Sequence, residues 1–257
     1  MRYAEVYVHR HMVPDGGLAG RTAVVFDVLR ASTTAAQALS AGAECLVPFA
    51  DISEMRRFKD ELSEEVAART LLAGERGGLA EPGFDLGNSP GKFTADAVGG
   101  KVILFSTTNG TDALSRAAEA DPVYFGSLVN VEALATLLET RTRRESEELA
   151  LVCSGTELSC SLEDMLAAGM LLEALGVREG DWEVDDGALA VLAVAAEWKG
   201  RVRECMEKAV GGRNVSALGL TADIEFAARP NSIPVVPRLV TDWGDLSGAD
   251  VLVGAGG

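Results

Sequence analysis

Apolar, β-branched runs alternate with segments of helical spacing along most of the chain. The runs cover residues 23–29, 45–49, 71–73, 102–105, 123–125 and 149–153. Between them, residues 31–41, 53–69, 110–120, 131–143 and 162–175 carry small or apolar side chains at a period near 3.6. Such β-α alternation predicts an α/β fold with a mainly parallel sheet covered by helices. The unbroken apolar character of 23–26 and 102–105 suits strands buried on both faces. The C-terminal part reads differently. Residues 187–210 look like one long helical region, broken at 211–214, with a short helix over 220–228. Pro230, Pro234 and Pro237 then mark an irregular or edge segment ending at 238–240. No fixed-period repeat or low-complexity linker divides the chain. A single domain over 1–257 is expected, compatible with two lobes of about 1–155 and 156–257.

The strongest break in the pattern is residues 74–90, GERGGLAEPGFDLGNSP, with five glycines and two prolines. Glycine costs backbone entropy and proline removes a donor, so this stretch cannot be a helix or a central strand. It leaves an apolar run and carries both charge signs, as binding or catalytic loops do. Ligands of open α/β sheets sit at the carboxyl ends of strands, so the other exits matter as much. They read Asp27-Val-Leu-Arg30-Ala-Ser32-Thr33-Thr34, Ser106-Thr107-Thr108-Asn109-Gly110-Thr111, Gly126-Ser127-Leu-Val-Asn130 and Ser154-Gly155-Thr156-Glu157 followed by Ser161-Leu-Glu163-Asp164. Five polar, hydroxyl-rich exits suit a phosphate-like oxyanion held by backbone N–H groups, hydroxyls and helix N-termini. Taken singly, each also reads as a helix cap, and Ser161 with Asp164 matches a capping box. Asp27 resists that explanation: it ends a buried strand, where an unpaired carboxylate is costly, so it needs a partner such as Arg30 or a metal ion.

Composition narrows the classes. The chain has 257 residues, 47% hydrophobic and 24% charged, with a formal net charge of −16. That charge argues against a nucleic-acid or anionic-membrane binder, though not against a small anionic substrate met by a local positive pocket. No apolar run reaches the roughly 20 residues of a membrane helix, and the N-terminal residues lack a signal-peptide core; the cytoplasm is the expected compartment. Cys45, Cys153, Cys160 and Cys205 form no CxxC pair and are expected to be reduced. His9 and His11 read as two residues on one strand face rather than as zinc ligands. The expected assembly is a homo-oligomer, a dimer, and the apolar segment 162–175 suits either core or interface.

Absent signatures exclude commoner phosphate chemistry. No P-loop, no D-x-D after the Asp27 strand, no cysteine followed by arginine six residues on, and no G-x-S-x-G elbow occur. What remains is Asp27, Glu75, Asp85, Glu157, Glu163 and Asp164 beside Arg30 and Arg76. Hard carboxylate oxygens with few nitrogens or sulfurs select Mg²⁺ over zinc or copper.

DVLRASTT, GERGG…GFDLGNSP, STTNGT, LEDMLAAG and the later LGLTADI together resemble the 2-phosphosulfolactate phosphatase family. The resemblance implies a three-layer α/β/α fold and a Mg²⁺-dependent phosphatase that releases 3-sulfolactate and phosphate from (2R)-2-phospho-3-sulfolactate, a step towards coenzyme M. One departure stands out: Asp112 follows TTNGT where the family carries arginine. Phosphatases of other 2-hydroxy-acid phosphates, or a non-catalytic sensor of an anionic metabolite, are the alternatives. The site set expected from residues and resemblance is Asp27, Glu163 and Asp164 as metal or base candidates, with Arg30, Glu75 and Arg76 in the catalytic centre. The guanidiniums would hold anionic groups, with Arg213 as a further cation. Ser32, Thr33, Thr107, Thr108, Asn109, Gly110, Thr111, Ser127 and Asn130 would cradle substrate oxygens, and Asp85, Asn88 and Ser89 would order the loop or complete the site. A carboxylate acting as general base and one acting as nucleophile remain equally open.

Overall fold

The computed structural model describes residues 2–141, 148–178, 180 and 182–255. The alternating first part gives β1 (Arg2–Tyr7), β2 (Thr22–Phe26), α1 (Ala31–Ser40), β3 (Cys45–Pro48), α2 (Ile52–Glu61), α3 (Glu64–Ala68), β4 (Thr70–Gly74), α4 (Ala95–Val98) and β5 (Val102–Ser106). It continues with α5 (Gly110–Ala117), β6 (Val123–Gly126), α6 (Val131–Arg141), β7 (Glu148–Cys153) and α7 (Leu162–Ala174). The last part adds β8 (Trp182–Val184), α8 (Asp186–Trp198), α9 (Val202–Lys208), α10 (Val210–Ala217), α11 (Thr221–Ala227), β9 (Val236–Trp243) and β10 (Leu246–Ala255). The expected helix over 131–143 is seen to Arg141; residues 142 and 143 lie outside the described residues.

Among the described residues, ten strands form one sheet in the order β4-β5-β3-β10-β9-β6-β2-β7-β1-β8. The ladders β4/β5/β3 and β6/β2/β7/β1/β8 are parallel. The β9–β10 hairpin joins them through antiparallel ladders on both sides. The expected α/β architecture with a mixed, mainly parallel sheet is therefore the one observed. Side chains alternate across β2 as the pleat requires: Val24 and Phe26 enter a core with α6, α7 and α8, whereas Ala23 and Val25 enter a second core with α1 and α5. Leu46, Ile103, Phe105 and Ala73 of the other parallel group reach that second core too. The two groups thus share α1 and α5 between them, and the outer face of the second group packs on α2 and α3. The β9–β10 ladder shifts register between Leu246 and Asp250, and the loops that follow β2, β4, β5 and β7 line one pocket.

Several expectations are corrected. The region 187–210 is not one helix: α8 ends at Trp198, a 3-10 turn follows over Lys199–Arg201, and α9 resumes. Gly211 and Gly212 do not break a helix but lie in the first turn of α10. A Cβ at Gly211 would sit 2.0 Å from Glu163 Oε1, and one at Gly212 would sit 1.8 Å from the Met206 carbonyl oxygen, so close approach explains both glycines. The proline-marked tail is irregular at Pro230 and Pro234, as expected, but Pro237 lies in a strand that is not an edge. β9 is an inner strand, tolerated because Pro237 precedes the two residues, Arg238 and Leu239, that pair with β6. His9 and His11 lie beyond β1 at a 3-10 turn, where His9 Nδ1 accepts the His11 N–H. The segment 162–175 is core: Leu166, Leu171 and Leu172 are fully buried. All four cysteines are free thiols, and Cys160 alone is exposed.

Candidate active site

Four of the five polar exits and α10 enclose a pocket of about 420 Å³. The β2 exit contributes Asp27, Leu29 and Arg30, and the glycine-rich loop contributes Glu75, Gly77, Gly78 and Asn88. Thr108 and Asn109 come from the β5 exit, Thr156 and Glu157 from the β7 exit, and Gly211 and Asn214 from α10. The fifth exit, after β6, stays behind this wall. Ser127 Oγ shares a 2.6 Å hydrogen bond with Thr33 Oγ1, while Asn130 accepts the Ser127 N–H and donates to the Val235 carbonyl.

Asp27 sits where β2 gives way to α1. Its Oδ1 accepts the Ala31 N–H at 3.1 Å, so the carboxylate caps α1 from within the chain. Burial pushes this carboxyl up to about 6; the Glu75 charge adds to that, and the Ala31 N–H, Arg10 and Arg30 oppose it. Gly110 opens α5 directly against it: a Cβ there would lie 2.7 Å from Asp27 Oδ2 and 2.7 Å from Ala31 Cβ. Glu163 lies under Gly211, with Oε2 buried and without a hydrogen-bond partner. Burial, then the Asp27 charge, pushes Glu163 up to about 7 against the pull of Arg213. Asp164 plays a different part. Oδ1 accepts the Val28 N–H at 2.8 Å and Oδ2 the Gly155 N–H at 3.1 Å, so it ties the β2 and β7 exits together. Burial and the Glu163 and Asp27 charges raise it well above the carboxylate range, despite those two donors. The Ser161 capping box is not made: Ser161 Oγ bonds Thr156 Oγ1 instead.

Glu75 orders the glycine-rich loop. One oxygen accepts the Thr108 N–H at 2.7 Å; the other accepts the Gly78 N–H at 2.7 Å and the Thr108 hydroxyl at 3.2 Å. Gly77 and Gly78 take φ of 60° and 84°, which a β-carbon disfavours, and so close the turn. Arg76 does not pair with that carboxylate. It donates to the Glu75 and Ala50 carbonyls and to Ser106 Oγ, away from the pocket wall. Arg30 is a wall residue: it donates to Asp223 Oδ2 at 2.8 Å, to Ser89 Oγ at 3.4 Å and to the Gly78 carbonyl at 2.5 Å.

Many predicted hydroxyls serve the frame instead of the cavity. Ser32 bonds the Asp27 carbonyl, Thr33 the Val28 carbonyl, and Thr107 and Thr111 lock one another across the α5 start. Asp85 accepts the Leu72 N–H and fixes the loop to β4. Arg213 donates to the Lys208 carbonyl. Asp112, the departure from the family pattern, points to Arg10: Arg10 Nε donates to it at 2.7 Å, and it does not line the pocket. Arg10 was not singled out in the sequence, Asn214 was read only as the end of a helix break, and Asp223 only as part of the LGLTADI phrase. Arg10 donates to the Ser154 carbonyl and Asp223 accepts from Arg30, contacts between residues far apart in the chain, while Asn214 joins the pocket wall from α10.

The wall carries three carboxylates, Asp27, Glu75 and Glu157, against one guanidinium, itself paired with Asp223. Side-chain charge alone therefore does not favour a polyanion. Among the described residues no three His, Cys, Asp or Glu side chains form a group able to hold a metal ion by themselves. The donor set still fits a hard cation shared with a bound phosphate, which needs only one or two carboxylates from the protein. Glu163 Oε2 is an unpartnered oxygen, and Asp27 faces the pocket.

The raised carboxyls carry a pH consequence. Asp27 and Glu163 hold protons in the folded protein that the unfolded chain releases, their ordinary values being 3.8 and 4.5. Their contribution to stability is full at the acid end and is lost as pH rises through about 6 for Asp27 and about 7 for Glu163. Thermal unfolding in EDTA should therefore show the wild type losing Tm relative to Glu163→Gln between pH 5 and 8. A difference that stays flat over that range would mean that burial and the neighbouring groups Asp27, Asp164 and Arg213 do not hold the Glu163 proton in the folded protein.

A family model described as 2-phosphosulpholactate phosphatase matches residues 8–242. Relatives include proteins named "Probable 2-phosphosulfolactate phosphatase" from Deinococcus radiodurans (40% identity over 91% of this chain and 91% of the relative) and from Symbiobacterium thermophilum (37%, over 87% and 93%). A third, of the same name, from Synechococcus sp. (strain WH7803), is 42% identical over 88% of this chain and 90% of its own. Among the described residues no helix is long and apolar enough to cross a membrane. With the family's motifs gathered round one pocket and the match spanning nearly the whole chain, the protein belongs to the 2-phosphosulpholactate phosphatase family.

Proposed function

We propose that this protein hydrolyses the phosphate monoester of 2-phospho-3-sulfolactate, releasing 3-sulfolactate and inorganic phosphate, and that it does so with Mg²⁺. The observation that carries this reading is the meeting of Asp27, Glu75, Asn88, Thr108 and Asn109 on one pocket wall, in a chain of this family. Mg²⁺ would offset the three wall carboxylates and polarise the phosphoryl group. Asp27 from the wall and Glu163 from beneath Gly211 are the residues to hold it. Asp164 keeps the β2 and β7 exits at a fixed spacing. Glu75 holds the glycine-rich loop against the start of α5, so that Thr108 and Asn109 face the bound phosphate. Arg30 takes an anionic group of the substrate, worth more inside a partly closed pocket than in water.

Because Asp112 is engaged by Arg10 outside the pocket, the family departure gives no reason to change the substrate. Phosphate release should be measured with phosphosulfolactate, phospholactate and phosphoglycerate, each with Mg²⁺ and after EDTA. The expected result is the highest kcat/KM with phosphosulfolactate and loss of turnover in EDTA, restored by Mg²⁺. Equal kcat/KM across the three substrates would overturn the sulfonate preference, and full activity after complete metal removal would overturn the role of Mg²⁺.

A further inference from the structure

Arg30 reaches the pocket wall, but two of the residues that set its position, Asp223 and Ser89, lie outside the wall. Asp223, on α11 and 193 residues away in the chain, accepts its Nη1 at 2.8 Å. Ser89, at the end of the glycine-rich loop, donates its hydroxyl to the same Asp223 oxygen at 2.8 Å and lies 3.4 Å from Arg30 Nη1. Arg30 Nη2 donates to the Gly78 carbonyl. The Arg30 and Asp223 side chains are 4% and 7% exposed, so the pair is desolvated. Desolvation offsets much of the attraction in such a pair, so stability alone is a weak reason for it. Its geometry gives a better one. Three donor–acceptor contacts fix the guanidinium plane and join α1, the glycine-rich loop and α11 at one point.

We propose that Asp223 is a positioning residue for substrate binding: with Ser89, it aims Arg30 at the anionic group of the ligand. Asp223 does not line the pocket and touches no reacting atom. Its removal leaves Arg30 charged but free to turn, so the loss appears in affinity before it appears in the chemical step. This rests on the phosphatase reading of the pocket.

The test compares the wild type with Asp223→Ala, Asp223→Asn and Ser89→Ala, using Mg²⁺-loaded protein and phosphosulfolactate, with inorganic phosphate as a competitive inhibitor. Expected are a rise in KM and in the phosphate Ki of about tenfold or more for Asp223→Ala, with a smaller change in kcat. Asp223→Asn, which keeps an acceptor oxygen, should recover part of the loss, and Ser89→Ala should shift KM a few-fold in the same direction. In an Arg30→Met background, Asp223→Asn should have no further effect on KM. If Asp223→Ala does not fold, Asp223→Asn and Ser89→Ala still decide the matter. Wild-type KM and Ki in the folded variants would overturn the proposal, as would an Asp223 effect that persists without Arg30. A wild-type protein inactive on every phosphate monoester tried would instead overturn the phosphatase reading.

Discussion

Asp27→Asn is expected to abolish turnover to about one part in 10³ while leaving the protein folded and at least as stable at pH 7. The size follows from what a positioned acid, base or metal-holding carboxylate contributes, about 10²–10⁴-fold. Stability is spared because the substitution is nearly isosteric and leaves an oxygen for the Ala31 N–H that Oδ1 now accepts. It also removes a charge that burial already disfavours, since Asp27 is pushed up to about 6. That combination, inactive yet not destabilised, is what separates a functional carboxylate from a structural one. Asp164→Asn should behave in the opposite way, because one face of the amide presents a donor to the Val28 or Gly155 N–H that Asp164 now accepts. kcat and Tm measured on both variants decide the assignment. A folded Asp27→Asn protein with near-wild-type kcat would take Asp27 out of the mechanism.

How much of this site was legible beforehand depended on the range of each interaction. Asp27 was legible because a carboxylate ending a buried apolar strand needs a reason. The exits after β4, β5 and β7 were legible because their glycines, hydroxyls and charges break a periodic pattern at strand ends, where ligands bind. The hydroxyls of Ser32, Thr33, Thr107 and Thr111 misled. Short polar side chains bond nearby backbone as readily as they bond ligands, and here they do so. Arg76 was expected to hold an anionic group, but its guanidinium reaches Ser106 and the Ala50 carbonyl, and it does not line the pocket. The parallel half-sheets were readable from β-α alternation. The β9–β10 hairpin that joins them was not, because three prolines in the tail read as an irregular or edge segment, and only pairing with β6 and β3 makes these strands internal. Gly211 looked like a helix breaker. The carboxylate packed beneath it comes from α7, a tertiary contact with no local signature.

Gly110→Ala carries the second large effect, and two forces of opposite sign meet there. In an unconstrained helix the change would stabilise by up to about 1 kcal/mol through helix propensity. Steric contact opposes it. The new Cβ would lie 2.7 Å from Ala31 Cβ, 2.7 Å from Asp27 Oδ2 and 3.2 Å from Asp27 Cβ. Two of those atoms are carbons next to backbone in a fully packed layer, and Asp27 can swing aside only by giving up the Ala31 N–H. Overpacking of this kind costs about 1–3 kcal/mol, which outweighs the propensity gain. A shift of about 1 Å at a reacting carboxylate costs about 10²-fold in rate. The expected result is therefore a kcat lowered about 10²-fold and a lowered Tm, with Gly91→Ala, whose Cβ would meet nothing within 4 Å, as the neutral control. If Gly110→Ala instead raises Tm and keeps wild-type kcat, the start of α5 does not press on Asp27, and the close packing of β2 and α5 plays no part in setting the carboxylate.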